Sequence, residues 1–268
     1  MQELELFGIA VGVGALGGML GVGGGVFLIP ILTLLLHVPI KIAIGASLVS
    51  VIATSSAAGA AYVGHGVAHT KLAMVLEIAT AAGALAGGLL AAIVPNRTLE
   101  GGFALLLVGV SWAMGRLQVE RVAYEKTGVL DTSYVDPASG RTVEYGVHRL
   151  PSGLLASFAA GGFSGLLGIG GGVVKVPTMA LVMRIPLRAA IATSNFMIGV
   201  TASTSALVYF GRGYLEPAVT VPTALGILVG AGLEPRLFGR VRSAFTKRLF
   251  QGLLLFFAFE MAYKAYRG

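Results

Sequence analysis

The chain contains no cysteine, which rules out disulfides, thiolate metal sites and cysteine nucleophiles. It is also poor in charge. Asp, Glu, Lys and Arg make up 12% of its 268 residues, against the ~25% usual in soluble domains. Too few charges are present for water to solvate the folded surface, so lipid is the expected solvent. No Gly-Lys-Ser/Thr phosphate loop occurs, which removes ATP hydrolysis as a source of energy. "GVGALG" at residues 12–17 matches a dinucleotide-binding spacing by letter only. It follows no strand and lies inside an apolar run, so that function is rejected. No nucleophile–base pair stands at useful spacing, and His65 and His69 are expected to be solvated loop residues. The chain is therefore expected to be no enzyme, with no catalytic residue, no metal and no cofactor.

What is present points to a membrane. Apolar residues make up 56% of the chain, and the mean hydropathy is +0.86. Residues 42–63, 72–94 and 99–115 carry no Lys or Arg. Each is close to the ~20 residues that cross a ~30 Å hydrocarbon core. "MQELELFG" lacks the basic start of a cleaved signal peptide, so it is expected to remain in the mature chain. The net charge of +7 is assigned to topology and anionic headgroups rather than to nucleic acid. The expected location is the inner or plasma membrane, crossed several times.

The phrase "LGVGGGVFLIP" at residues 20–30 returns as "LGIGGGVVKVP" at residues 167–177. The offset of 147 residues, from Pro30 to Pro177, holds without a gap. It pairs Pro39 with Pro186, Ser47 with Ser194, Thr54 with Thr201, Tyr62 with Tyr209 and Gly66 with Gly213. Apolar composition alone would not keep prolines and glycines in step. The chain divides into a first membrane repeat, 1–115, a polar cytoplasmic linker, 116–150, and a second membrane repeat, 151–268. The linker mixes acids, bases and "DPASG" and reads as a solvent loop that tethers the halves.

Each repeat starts with an apolar run of about 31 residues, or ~46 Å of helix. That is too long for one crossing and too short for two. Three glycines at its centre are where a helix can break and turn. The expected fold is an all-α integral membrane protein with two inverted-topology repeats, each a broken or re-entrant helix pair plus three transmembrane helices. Charge supports inversion. With residues 235–248 in the cytoplasm, only Lys41, Arg97, Arg212, Lys264 and Arg267 fall outside, whereas parallel halves split the bases evenly. Inverted repeats with interrupted helices are a recurring transporter plan, with the substrate at the midplane.

A helix that starts just after "GGG" offers free N–H groups to an anion. Gly23, Gly24, Gly25, Gly170, Gly171 and Gly172 are therefore candidate substrate contacts. Gly83, Gly87 and Gly88 are read as packing glycines. Lys175 stands where the first repeat has Leu28. A lysine inside a membrane is costly, so it is a functional candidate by default. Its competing roles are to snorkel to an interface or to pair with a carboxylate such as Glu77. Ser47, Ser194, Asn195, Thr54 and Thr201 could donate hydrogen bonds to substrate oxygens, although Ser and Thr also bond helix to helix. Tyr62 and Tyr209 are read as interfacial anchors, and Arg184 and Arg188 as topology signals.

The doubled glycine phrases, each running to a proline, resemble the sulfite exporter TauE/SafE family, also called the toluene sulfonate uptake permease family. The resemblance covers nearly all of both halves. It implies a secondary transporter, usually outward, of small sulfur-containing anions such as sulfite or organosulfonates like sulfoacetate. It maps the family motif onto Gly23, Gly24, Gly25 and Pro30, and onto Gly170, Gly171, Gly172 and Pro177. A carrier of another small anion such as a carboxylate, or an anion channel, is the alternative. The expected partners are a small anionic substrate and the bilayer, with a homodimer left open.

Overall fold

The structure, a computed structural model, describes residues 2–18, 24–64, 66–116, 128, 130–135, 140–238 and 243–267. The first half supplies α1 (Gln2–Gly18), α2 (Gly25–Leu34), α3 (Ile40–Gly64), α4 (Thr70–Ile93) and α5 (Asn96–Arg116). The second supplies α6 (Leu150–Leu167), α7 (Gly172–Pro177) with a π-helical turn at Thr178–Val182, α8 (Leu187–Gly211), α9 (Pro217–Phe238) and α10 (Ser243–Arg267). The fold is all-α within the membrane. Among the described residues α4, α6 and α8 are each long and apolar enough to span it.

The second glycine phrase is a true break. α6 ends on Gly168 in the left-handed conformation, and α7 starts from Gly171 in the same conformation. Gly170 also has positive φ. Such a run is open only to glycine at low cost. The chain then turns back. Gly153 of α6 faces Met183, and Ala160 faces Gly171, so α7 and its π turn return alongside α6. At the first phrase α2 starts from Gly24, again left-handed. Gly23 lies outside the described residues.

The helices exchange partners between halves. α1 packs along α9, α6 along α4, α3 along α8, and α5 along α10. Glycines allow the closest of these contacts. Gly230 meets the Val11 carbonyl where Gly83 meets the Phe158 carbonyl, and Gly14 meets Ile227 where Gly161 meets Thr80. Each pair of contacts is related by the sequence offset of 147 residues, so the repeat is one of packing as well as of letters. Direction can be read from register. Gly226 faces Phe7 and Gly230 faces Val11, so α1 and α9 run parallel. Gly161 faces Thr80 and Gly165 faces Ala84, so α4 and α6 run parallel. His69 bonds Thr193 and Gly88 faces Val208, so α8 runs with α4. Gly45 faces Tyr214 while Gly199 faces Ser55, so α3 opposes α8.

No side chain fits where Gly14, Gly83, Gly161 and Gly230 meet backbone atoms. Gly161→Leu would drive a side chain into the backbone of α4. Overpacking of this kind costs ~1–3 kcal/mol or more. The thermal midpoint of purified Gly161→Leu should fall by several degrees, whereas Gly109→Ala, where a Cβ meets nothing within 4 Å, should leave it unchanged.

The linker differs from the expected solvent loop. Thr132–Val135 (β1) pairs antiparallel with Thr142–Tyr145 (β2), Tyr134 opposite Val143 and Thr132 opposite Tyr145. Partners across a ladder share a face, so Tyr134, Val143 and Tyr145 point the same way. They pack into a cluster with Val67, Leu72, Met179, Met183 and Ile185. Tyr145 is 1% exposed. The hairpin thus covers one end of the bundle, where α4 and α8 begin and the π turn ends. Its strands are too short for a helix-period search to register.

His69, expected to be solvated, is buried under this hairpin. It caps α4. Its Nδ1 accepts from the Leu72 N–H, its Nε2 lies 2.8 Å from the Leu130 carbonyl, and its ring meets Tyr145 edge-on at 5.9 Å. These contacts fit the neutral ring protonated on Nε2. Burial holds its pKa below the ordinary 6.5. The unfolded state therefore binds the proton more readily. The contribution of His69 is full above about pH 6.5 and is lost as the pH falls through the depressed value. Protection factors of residues 132–135 and 142–145, corrected for the slower intrinsic exchange at low pH, should fall on acidification below that point, and His69→Asn, which keeps a capping acceptor, should lose the dependence.

Candidate functional site

The site grows from the second break. Lys175 lies one turn into α7, and its Cε sits 3.5 Å from where a Cβ on Gly171 would lie. The side chain therefore folds back toward the glycines, as helix geometry directs. It is 2% exposed. Its Nζ donates to Thr201 Oγ1 at 2.7 Å, and Thr201 donates in turn to Glu77 Oε1 at 2.7 Å. Glu77 Oε2 lies 3.7 Å from Nζ and has no hydrogen-bond partner. Three helices thus contribute one group each: α7 the ammonium, α8 the hydroxyl, α4 the carboxylate.

Ser194, on the same helix as Thr201, is fully buried, and its hydroxyl has no partner. Its Oγ would lie 3.3 Å from a Cβ on Gly172. A buried hydroxyl left unpaired beside the start of α7 is a costly arrangement unless something else completes it. Asn195 is buried next to it at 7% exposure.

The first half reaches into the same place. Ser47 donates to the Gly168 carbonyl at 2.8 Å. A Cβ on Gly25 would lie 2.5 Å from Ser47 Oγ and 3.1 Å from that carbonyl. Gly170 would meet Val51 of α3 and Ile198 of α8, each at 2.8 Å. The starts of α2 and α7 therefore converge, with the α3–α8 crossing beside them. Ser47, Gly24, Gly25, Gly170, Gly171, Gly172, Lys175, Ser194, Asn195 and Thr201 fall in one region. The Thr54 hydroxyl goes to the Ser50 and Val51 carbonyls of its own helix.

The two halves differ chemically at this point. Lys175, Thr201 and Glu77 correspond, by the offset of 147 residues, to Leu28, Thr54 and Ala224. Leu28 is fully buried in the apolar core. One of the two equivalent places is charged and the other is not. Sequence reasoning brought Lys175 and Thr201 forward separately. That the threonine stands between the lysine and the glutamate depends on three helices meeting, which no local pattern records. Tyr209, expected at the interface, is 1% exposed, with its hydroxyl 3.4 Å from the Leu166 carbonyl. The helix crossing covers a ring that hydropathy alone placed at the span's end. Among the described residues no group of His, Asp and Glu could hold a metal.

Comparison with known proteins agrees in scale with the repeat. The profile described as "Sulfite exporter TauE/SafE" matches residues 6–261. The chain is 23% identical over 259 residues to the "probable membrane transporter protein YunE" of Bacillus subtilis, covering 94% of each chain. It is 25% identical over 248 residues to the "probable membrane transporter protein YdhB" of the same organism, covering 90% of this chain and 94% of that one. A "probable membrane transporter protein" of Xylella fastidiosa is 25% identical over 233 residues, covering 85% of this chain and 81% of the relative. No solved structure matches the chain.

Proposed function

The chain belongs to the sulfite exporter TauE/SafE family, a multi-pass membrane transporter family and not one of enzymes, and on that premise we propose that it carries small sulfur-containing anions such as sulfite or sulfoacetate outward. The substrate sits at the junction of the two breaks, with Lys175 as counter-charge and Ser194, Asn195 and the amides of Gly170–Gly172 as donors. The carrying observation is Lys175. A fully buried ammonium stands one turn beyond a backbone break, beside a hydroxyl that lacks a partner. Charge is kept inside a membrane where it has work to do.

Two opposed halves support a carrier over a fixed pore. α1 and α9 run together, as do α4, α6 and α8, and α3 opposes its own repeat partner α8. The turn before α9 places Tyr214 beside Gly45, near the start of α3, and α9 brings Ile227 to Gly24. It therefore runs with α3 and against α4, its own equivalent. These directions favour inverted repeats around the site, the arrangement suited to rocking between two openings. Val67 and Ala68, the paired strands and the Met183–Pro186 turn lie together at one end, the end that the positive-inside rule assigns to the cytoplasm.

The reading is tested by binding to purified protein with sulfite, sulfoacetate, taurine, sulfate and acetate. Sulfite or sulfoacetate should bind and acetate should not. Acetate binding as tightly as either, or no binding of any sulfur anion, would overturn it.

A further inference from the structure

The Lys175–Thr201–Glu77 chain carries an inference that rests on the anion-carrier reading and extends it to energetics. We propose that the transported anion displaces Glu77 from Lys175, and that Glu77 then takes up a proton, so that anion and proton are loaded together. Three observations carry this. The charged triple replaces an uncharged Leu28–Thr54–Ala224 set at the equivalent place in the other half, so the fold itself does not require the charges. The ion pair is loose on one side. Thr201 separates Nζ from Oε1, while Oε2 is 3.7 Å away without a hydrogen bond. The ammonium is the more deeply buried member, with side-chain exposures of 1% for Lys175 and 13% for Glu77.

Among the described residues of α4, α6, α7, the π turn and α8, Glu77 is the only acid. α6 carries no titratable side chain. α7 and its π turn carry Lys175 alone. α8 carries Arg188, 13 residues before Thr201, or ~20 Å along a helix, and Tyr209, eight residues after it. α4 carries Lys71, six residues before Glu77, with His69 at its cap; that is ~9 Å along the helix. With an anion on Lys175, a charged Glu77 would put two negative charges beside one ammonium in a low-dielectric setting. A buried carboxylate deprived of its partner neutralises instead of staying charged. The proton comes from water on the side the anion entered, and both leave together.

The test uses sulfoacetate, whose charge is fixed near neutral pH, added to purified protein in weakly buffered solution with a pH indicator. Wild-type protein should take up about one proton per anion bound. Glu77→Gln, at sulfoacetate concentrations that load it, should take up none. Wild-type binding without proton uptake overturns the proposal and leaves the carrier reading standing. Proton uptake that persists in Glu77→Gln also overturns it. No sulfoacetate binding to wild type, with no binding of sulfite, overturns the carrier reading and this inference with it. The wild-type arm decides the matter even where the variant fails to fold.

Discussion

Lys175→Ala is expected to abolish binding of sulfur anions and, separately, to destabilise the bundle. The two losses have different causes and can be pulled apart. Removing one partner of a buried ion pair leaves the other uncompensated, at a cost of about 3–5 kcal/mol. In a chain of this size that lowers the thermal midpoint by on the order of 10 °C. The double variant Lys175→Met/Glu77→Gln removes both charges, and neutral groups of similar size are often tolerated in place of a buried pair. Its midpoint should recover most of the loss, but binding should not return, because no ammonium remains for the anion. A double variant that binds sulfite as wild type does would show that Lys175 serves packing alone. The readouts are a thermal scan and a titration on the same sample.

Gly170→Val should be nearly as damaging from the opposite direction. Gly170 has φ of +71°, a conformation that costs a β-carbon residue about 1–2 kcal/mol. The added carbon would also lie 2.8 Å from Val51 and from Ile198, one residue from each half. Overpacking adds ~1–3 kcal/mol, so the expected sum is roughly 2–5 kcal/mol. The damage falls where the two halves meet, so anion affinity should drop at least about tenfold even in the fraction that folds. Gly211→Ala is the control. A Cβ there meets nothing within 4 Å, and its φ is not positive. Stability and binding should both match wild type. Equal effects at the two glycines would mean that the break has no special geometry to lose.

Much of this architecture was legible from spacing. The offset of 147 residues predicted two equivalent helix interruptions, and equivalence persists in the contacts of Gly14 and Gly161 and of Gly83 and Gly230. Glycines repeat because backbones touch there, and touching leaves a one-residue signature. Lys175 was visible because charge is rare in an apolar run. Three features were not legible. The hairpin of residues 132–145 owes its place to two tyrosines against the bundle end, a pattern too short to separate from a polar loop. His69 looks like any loop histidine until Tyr145 covers it. The Thr201 bridge joins residues separated by 26 and 124 positions, and such contacts are set by helix crossings, which sequence periodicity does not encode.

The central claim is that an anion sits on Lys175 at the junction of the two breaks. Selenite, the heavier analogue of sulfite, tests it directly, because anomalous diffraction from crystals grown with it locates selenium without interpretation of side-chain density. The account predicts a selenium peak within hydrogen-bond reach of Lys175 Nζ and the Gly170–Gly172 amides, with Glu77 withdrawn from the lysine. A peak at Arg184 and Arg188 instead, with the Lys175–Thr201–Glu77 chain intact, would contradict it.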